Sequence, residues 1–515
     1  MALTALLAAL LLWAPLPFAG VVSWADTSLE IVAFGALALA MAAIDRPADL
    51  RHVAIPAAAL AGMALLGALQ ALSWSPRLVS LLSPAHGRLY REAAALQGEV
   101  ELAGAPELAR LPADPTGAPA VAQGSAAAQQ PPAAARLTVA PAATASASLA
   151  WAAAASSLLA GAAAGRRRLR RRWLGGAVLL GAIAQVFLGA RAANAGERTL
   201  WGVEVPIAAS RLRGTFFNPN HLAMYLEIAL ALSFAWGWWA LRRARLETTY
   251  ERRALAIIPP VLVWLTLFSG LAFTASRGGL VAALAGILAQ GALLATARRR
   301  WAPAFLGAAA AVAGVAAAVA MGLQAGPARA LATQVFDVSL QARREAWGAT
   351  LGLWRMFPLT GSGLGTFRDA FPMVQPARLD GTWWHAHSAP LELLATAGPA
   401  GAVLALAGMA GLAVRLFVVL RRGRRTEDRA AGLAVLGALI AVTVHECFDF
   451  GLTLPANALT LATMAGAACS VRLAASPVAG GQANGAGKAG PARQALELEQ
   501  VRTGRHRGGE RKQRP

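Results

Sequence analysis

Four short clusters of ionisable and amide side chains interrupt a largely apolar sequence, and each holds residue types able to bind phosphate or move a proton. The first is Arg211-Leu212-Arg213-Gly214-Thr215-Phe216-Phe217-Asn218-Pro219-Asn220-His221. The second is the tight turn Thr274-Ala275-Ser276-Arg277-Gly278-Gly279. The third is Arg343-Arg344-Glu345-Ala346-Trp347, followed by Phe357-Pro358 and glycines at 361, 363 and 365. The fourth is Trp383-Trp384-His385-Ala386-His387-Ser388. A smaller group, His445-Glu446-Cys447-Phe448-Asp449-Phe450, puts three ionisable side chains within five residues.

Guanidinium forks bind phosphate oxygens bidentately, so arginines grouped at a membrane surface suit a diphosphate. A histidine that is neutral near pH 7 suits a general base, and a row of aromatic rings suits a sugar or the membrane interface. Each cluster also has a plainer reading. The first is an interfacial cap with a turn at Asn218-Pro219. Arg277 is a snorkelling arginine, although charge so close to the membrane boundary marks a functional site by default. The glycines after Phe357-Pro358 form a bend that returns the chain to the membrane; no strand precedes them and no lysine follows, which removes a nucleotide loop. His385 and His387 have few acidic or cysteine partners nearby, so metal is not the favoured reading and no cofactor is expected. His445, Glu446 and Asp449 are either functional or a polar lock between helices.

The elements that must position these residues are membrane helices. Of 515 residues, 57% are hydrophobic and only 14% charged, against about a quarter charged in soluble domains. The apolar residues come in blocks long enough to cross a hydrocarbon core of about 30 Å. Twelve spans are expected, at 2–22, 29–44, 53–73, 149–164, 173–190, 221–241, 254–274, 279–297, 302–323, 389–418, 430–448 and 455–473. The fold class is therefore an all-α polytopic membrane protein. The first block lacks a basic leading region and an evident small-residue cleavage site, so it reads as a span rather than a removed signal.

The net charge of +21 is nearly all arginine, with lysine only at 488 and 512. The excess arginines lie in short runs between apolar blocks: 166–172, 242–253, 298–300 and 421–429. That placement sets nucleic acid aside and follows the positive-inside rule, with both termini cytoplasmic and all the clusters on the external face. Residues 1–73 then hold three spans, 149–323 six and 389–473 three. The segment 74–148 is an Ala/Pro-rich external loop in which Pro84 to Leu108 has room for a short helix. The segment 324–388 is an external subdomain with a helical stretch from Leu340 to Met356, where Leu340, Trp347, Leu351 and Trp354 recur at helical spacing. The tail 474–515 reads as basic and disordered. The two cysteines, Cys447 and Cys469, fall near opposite ends of neighbouring spans, too far apart to bridge. Mid-span charges are nearly absent and no internal repeat is evident, which counts against a transporter of lipid-linked glycans.

The order Arg-Gly-Thr-Phe-x-Asn-Pro-Asn-x-x-Ala, then Ser-Arg-Gly, then a long external loop with Arg-x-x-x-Trp, Pro-x-x-Gly-x-Gly-x-Gly and His-x-His, resembles the O-antigen ligase and polymerase family of bacterial membrane glycosyltransferases. The closing His-x-x-x-Asp-Phe and Pro-Ala, at His445, Asp449, Phe450, Pro455 and Ala456, resembles it too. The likeness spans roughly 200–470. It implies a GT-C-like fold in the bacterial inner membrane and metal-independent transfer of a glycan from an undecaprenyl-diphosphate-linked donor to lipid A–core, a growing glycan or a protein. It implies diphosphate-binding arginines at Arg213 and Arg277, with Arg343 or Arg344 in support, and a catalytic histidine at His387. Arg211, Asn218, Asn220, His385 and Trp384 are expected to shape the substrate site. Two positions depart from the family's usual pattern: Ser388 stands where Asn often follows the second histidine, and Thr396 stands where Glu often lies two residues before the next glycine, Gly398.

Overall fold

A computed structural model of the chain describes residues 1–44, 47–108, 135–197, 199–204, 211–298 and 333–474. The helices are α1 (Ala2–Trp13), α2 (Ser23–Ala42), α3 (Ala54–Ala71), α4 (Pro76–Leu82), α5 (Pro84–Leu108), α6 (Pro141–Gly165) and α7 (Arg168–Asn194). They continue with α8 (Pro219–Ala244), α9 (Tyr250–Phe273), α10 (Arg277–Arg298), α11 (Thr333–Met356), α12 (Ala389–Arg422), α13 (Thr426–Glu446) and α14 (Pro455–Cys469). A two-stranded ribbon pairs Thr199–Leu200 with Val203–Glu204.

Nine of the described helices are long and apolar enough to cross a membrane. The expected span at 302–323 and the tail from 475 lie outside the described residues. The expected span 2–22 is a shorter helix: α1 stops at Trp13, because Pro15 and Pro17 cannot donate to a continuing helix. Phe18 and Ala19 then take positive φ values of 55° and 58°, and the chain turns into α2. The helix expected after Pro84 runs to Leu108, and that around Leu340–Met356 begins at Thr333.

The packing explains the apolar faces. Every side chain of α8 from His221 to Ala235 is buried, in keeping with a helix apolar on all sides. It is surrounded by α7, α9, α10 and α13. By contrast Leu255, Ile258 and Leu262 of α9 and Val403, Leu406 and Val414 of α12 are exposed, as lipid-facing residues are. The helices α6 and α14 meet through small residues four apart, Gly161 and Gly165 on one and Gly466 on the other. A side chain at Gly161 would lie 2.2 Å from the Thr463 carbonyl, so only glycine allows this backbone approach. The contact sets the N-terminus of α14, at Pro455, beside the site.

The helix α12 breaks at Gly398, whose φ is 68°, just before Pro399. The carbonyls freed there are taken by the glycine-rich bend: Ser362 N–H donates to Ala395 (3.0 Å) and Gly363 N–H to Thr396 (2.9 Å). Gln70 of α3 clamps the same bend, donating to the Thr360 carbonyl at 2.7 Å and accepting from Leu364 N–H at 2.9 Å. The bend thus returns the chain from α11 to the membrane.

One end of the bundle is basic. Arg171 pairs with Asp428, Arg172 binds Glu427 through two 2.7 Å hydrogen bonds, and Arg172 and Arg243 both sit over the Trp239 ring. The clusters that carry chemistry lie at the opposite helix ends: the starts of α8, α10, α12 and α14 and the finish of α13.

Candidate active site

Four of the chain's seven histidines meet here, brought in by three elements. Asn218 caps α8 by accepting from Asn220 N–H at 2.9 Å, and Pro219 takes the first helical position. This puts His221 on the first turn and Glu227 two turns down. The helix α13 ends at Glu446, so His445 is in its last turn and Asp449 and Phe450 lie in the loop that follows. His385 and His387 precede α12, and Glu392 in its first turn ties the approach down. Its two oxygens accept from His385 Nδ1 and from Ala386 N–H, each at 2.8 Å.

Asp449 is the hub. One carboxylate oxygen is 3.3 Å from His387 Nδ1 and 3.9 Å from His221 Nε2, and the other is 3.9 Å from His445 Nε2. Burial alone would raise its carboxyl, but the His387 hydrogen bond and the imidazoles of His221 and His445 hold it below the ordinary aspartate range. Asp449 is therefore a carboxylate at neutral pH, with charge available to stabilise an imidazolium. Behind it, His445 Nδ1 is 2.6 Å from Glu227 Oε1, both buried. Three imidazoles surround Phe450: His385 stacks on it at 3.9 Å, while His221 and His387 meet its edge at 4.7 and 5.1 Å.

His387 has a φ of 51°, a left-handed conformation that costs an ordinary side chain on the order of 1–3 kcal/mol. The surrounding bonds impose it. Trp347 of α11 donates to the Ala386 carbonyl at 3.0 Å, and Ala389 N–H donates to the Asp449 carbonyl at 3.2 Å. The two histidines of the His-x-His pair turn to different carboxylates, His385 to Glu392 and His387 to Asp449.

Arg211, Arg277 and Arg343 sit on or against the elements of this centre, whereas Arg213 is tied to Glu197. The turn that starts α10 packs directly on the buried pair: a methyl at Gly278 would lie 3.6 Å from the His445 ring, and one at Gly279 would lie 3.2 Å from Glu227 Oε1. Arg277 is the residue just before them. Arg211 bonds the Thr274 carbonyl at 2.8 Å and Asn220 Oδ1 at 2.9 Å, so it joins the α9–α10 turn to the start of α8. Arg213 is buried, with Nη2 donating to the Glu197 carbonyl at 3.2 Å and Nη1 without a hydrogen-bond partner. Burial lowers its pKa from the usual arginine value, with Glu197 acting in the opposite sense. Arg343 donates to the Phe448 carbonyl at 2.7 Å, which fastens α11 to the Asp449 loop. Arg344 is exposed on α11, and Trp384 is exposed under the Arg368 guanidinium, 3.8 Å from its ring.

A cavity of about 680 Å³ opens beside His221, His385 and His387. Residues 261–406 match the family model described as O-antigen ligase. No curated protein matches the chain. The matched segment holds Arg277, Arg343, His385, His387 and Glu392, while His221, Glu227, His445 and Asp449 lie outside it.

Two partners were not singled out in the sequence. Glu392 supplies a carboxylate one turn before Thr396, where the family often has Glu; the Thr396 hydroxyl donates back to the Glu392 carbonyl at 2.8 Å. Glu227 is the other, and its signal was a lone acid inside an apolar helix, a mark of function in a membrane.

Proposed function

We propose that the protein is an O-antigen ligase-type membrane glycosyltransferase that moves a glycan from a polyprenyl diphosphate, undecaprenyl diphosphate in bacteria, to an acceptor hydroxyl on the external face. The observation that carries this is the His387–Asp449 pair, 3.3 Å apart, beside a cavity at the bundle end remote from the arginine-rich linkers. By the positive-inside rule those linkers face the cytoplasm, which sets the pair outside. Nucleotide sugars are not pooled there, so the donor is a lipid-linked glycan whose diphosphate lies at headgroup level.

With Nδ1–H donating to Asp449, His387 keeps the lone pair on Nε2, and that nitrogen takes the proton of the acceptor hydroxyl. The hydroxyl oxygen forms the new bond to C1 of the donor sugar. The bond from C1 to the phosphate oxygen breaks, and its electron pair leaves with the polyprenyl diphosphate. Arg277 and Arg213, with its unpartnered Nη1, stabilise the charge that grows on the leaving group. Arg211, Asn218 and Asn220 hold the loop that presents Arg213, and Arg343 holds the Asp449 loop; no step requires a metal. In proteoliposomes supplied with donor and acceptor, His387→Ala is expected to abolish transfer, and full activity of that variant overturns the assignment.

A further inference from the structure

The cavity beside His387 has the wrong chemistry for a diphosphate. Its walls carry the carboxylates of Asp26 and Asp380, the hydroxyls of Thr382 and Thr453 and the indoles of Trp383 and Trp384, and among the described residues no arginine or lysine lines it. A phosphate there would face two acids, and no arginine or lysine of the wall itself offsets them. A sugar ring fits instead: carboxylates and hydroxyls accept from its O–H groups, and indole faces cover its C–H groups.

Asp26 is the pointed case. It comes from the N-terminal part of the chain, far outside the matched segment 261–406, yet it shares the cavity with the histidines. One of its carboxylate oxygens is buried without a hydrogen-bond partner, whereas Glu446 and Asp449 each accept a backbone N–H. Asp26 lines the cavity, and an ionised carboxylate can only accept, which suits it to the O–H groups of a ligand. The wall that bears Asp26 is also firmly built. Gly20, at φ 85°, is so close to Pro455 and Leu29 that a methyl there would lie 2.8 and 2.9 Å from them. Phe18 stacks on Phe217 at 5.0 Å, which docks the same loop against the start of α8.

We infer that this cavity is the subsite for the acceptor, that the acceptor is a saccharide, and that Asp26 selects it by accepting hydrogen bonds from hydroxyls neighbouring the attacking one. The inference rests on the glycosyl-transfer reading above. His387 lines the cavity, and a general base must reach the proton of the attacking hydroxyl. The donor diphosphate belongs with the arginines, which lie outside the cavity wall. A serine or threonine side chain of a protein acceptor offers no neighbouring hydroxyl for Asp26.

The test uses the full-length protein in detergent, with a deacylated core oligosaccharide as the saccharide probe and a serine/threonine peptide as the alternative. Binding is read as quenching of tryptophan fluorescence, and transfer is read from a polyprenyl-diphosphate-linked glycan. Asp26→Asn keeps the side-chain shape, and Asp26→Glu tests recovery by a carboxylate on a longer stem. The expected result is an acceptor KM and a quenching midpoint raised about tenfold in Asp26→Asn, with donor KM unmoved and partial recovery in Asp26→Glu. Unchanged acceptor KM and midpoint in Asp26→Asn, while the wild type still transfers, would overturn the subsite and leave the transfer reading standing. Saturation by the peptide but not by the oligosaccharide would overturn it as well. Asp26-dependent binding of oligosaccharide without release of polyprenyl diphosphate would overturn the transfer reading, and the acceptor role with it.

Discussion

His387 Nδ1 lies 3.3 Å from Asp449 Oδ1, and the backbone that presents it is held at φ 51°. The contact orients the imidazole and supplies the negative charge that an imidazolium needs. Asp449→Asn keeps the shape but removes the charge, so kcat should fall by about 10²- to 10⁴-fold, within the range of a disabled acid–base pair. His387→Asn tolerates the left-handed backbone better than most residues. It should leave thermal stability near that of the wild type while abolishing transfer, as checked by melting in detergent alongside a transfer assay.

Arg277 and Arg213 are expected to act on the donor. Replacement of either by lysine keeps the charge but loses the fork, and should lower kcat/KM for the donor by about 10- to 100-fold. Arg211→Lys should behave differently. Its guanidinium spans from the Thr274 carbonyl to Asn220 Oδ1, so the first loss should be thermal stability. Donor kinetics and melting curves on the three variants separate the two roles.

Neighbouring glycines at the start of α10 make a sharper contrast. A methyl at Gly278 meets the His445 ring at 3.6 Å, an ordinary contact, whereas one at Gly279 would be 2.7 Å from Ala223 Cβ. Gly279→Ala must push α10 away from α8 and should cost about 1–3 kcal/mol, while Gly278→Ala should be close to neutral. Thermal melting of both variants under identical detergent conditions measures the difference.

The region around α5 has its own pH response. His86 on α5 is fully buried, with Nδ1 2.7 Å from Ser83 Oγ and its ring 4.5 Å from Phe357. Burial pushes its pKa down to about 4, with the Ser362 carbonyl opposing the shift. A histidine depressed in the folded state binds its proton more readily when unfolded. Its stabilisation is therefore complete above about pH 6.5 and is lost as pH falls toward 4, by roughly 3 kcal/mol. Amide hydrogen exchange in α5 and in 357–366 should accelerate across that window, and His86→Gln should flatten the response.

Much of this arrangement was legible in the sequence, because hydropathy and arginine placement report directly on a membrane. The bend at Gly361, Gly363 and Gly365, the helix ending at Met356 and the basic linkers all follow from local chemistry. What stayed hidden was convergence. Glu227, Glu392 and Asp26 look like isolated acids, and only the fold sets Glu227 against His445, Glu392 against His385 and Asp26 on the wall beside His387. Hydropathy also averages over Pro15 and Pro17, which is why 2–22 reads as a span while α1 ends at Trp13.

The most direct test of the central claim is a single-turnover assay on the purified protein in proteoliposomes, with a polyprenyl-diphosphate-linked glycan and an acceptor oligosaccharide. The account predicts one polyprenyl diphosphate released for each glycosylated acceptor, with both products lost together in His387→Ala. Glycan that crosses the bilayer with its diphosphate linkage intact, or transfer that survives in His387→Ala, would contradict it.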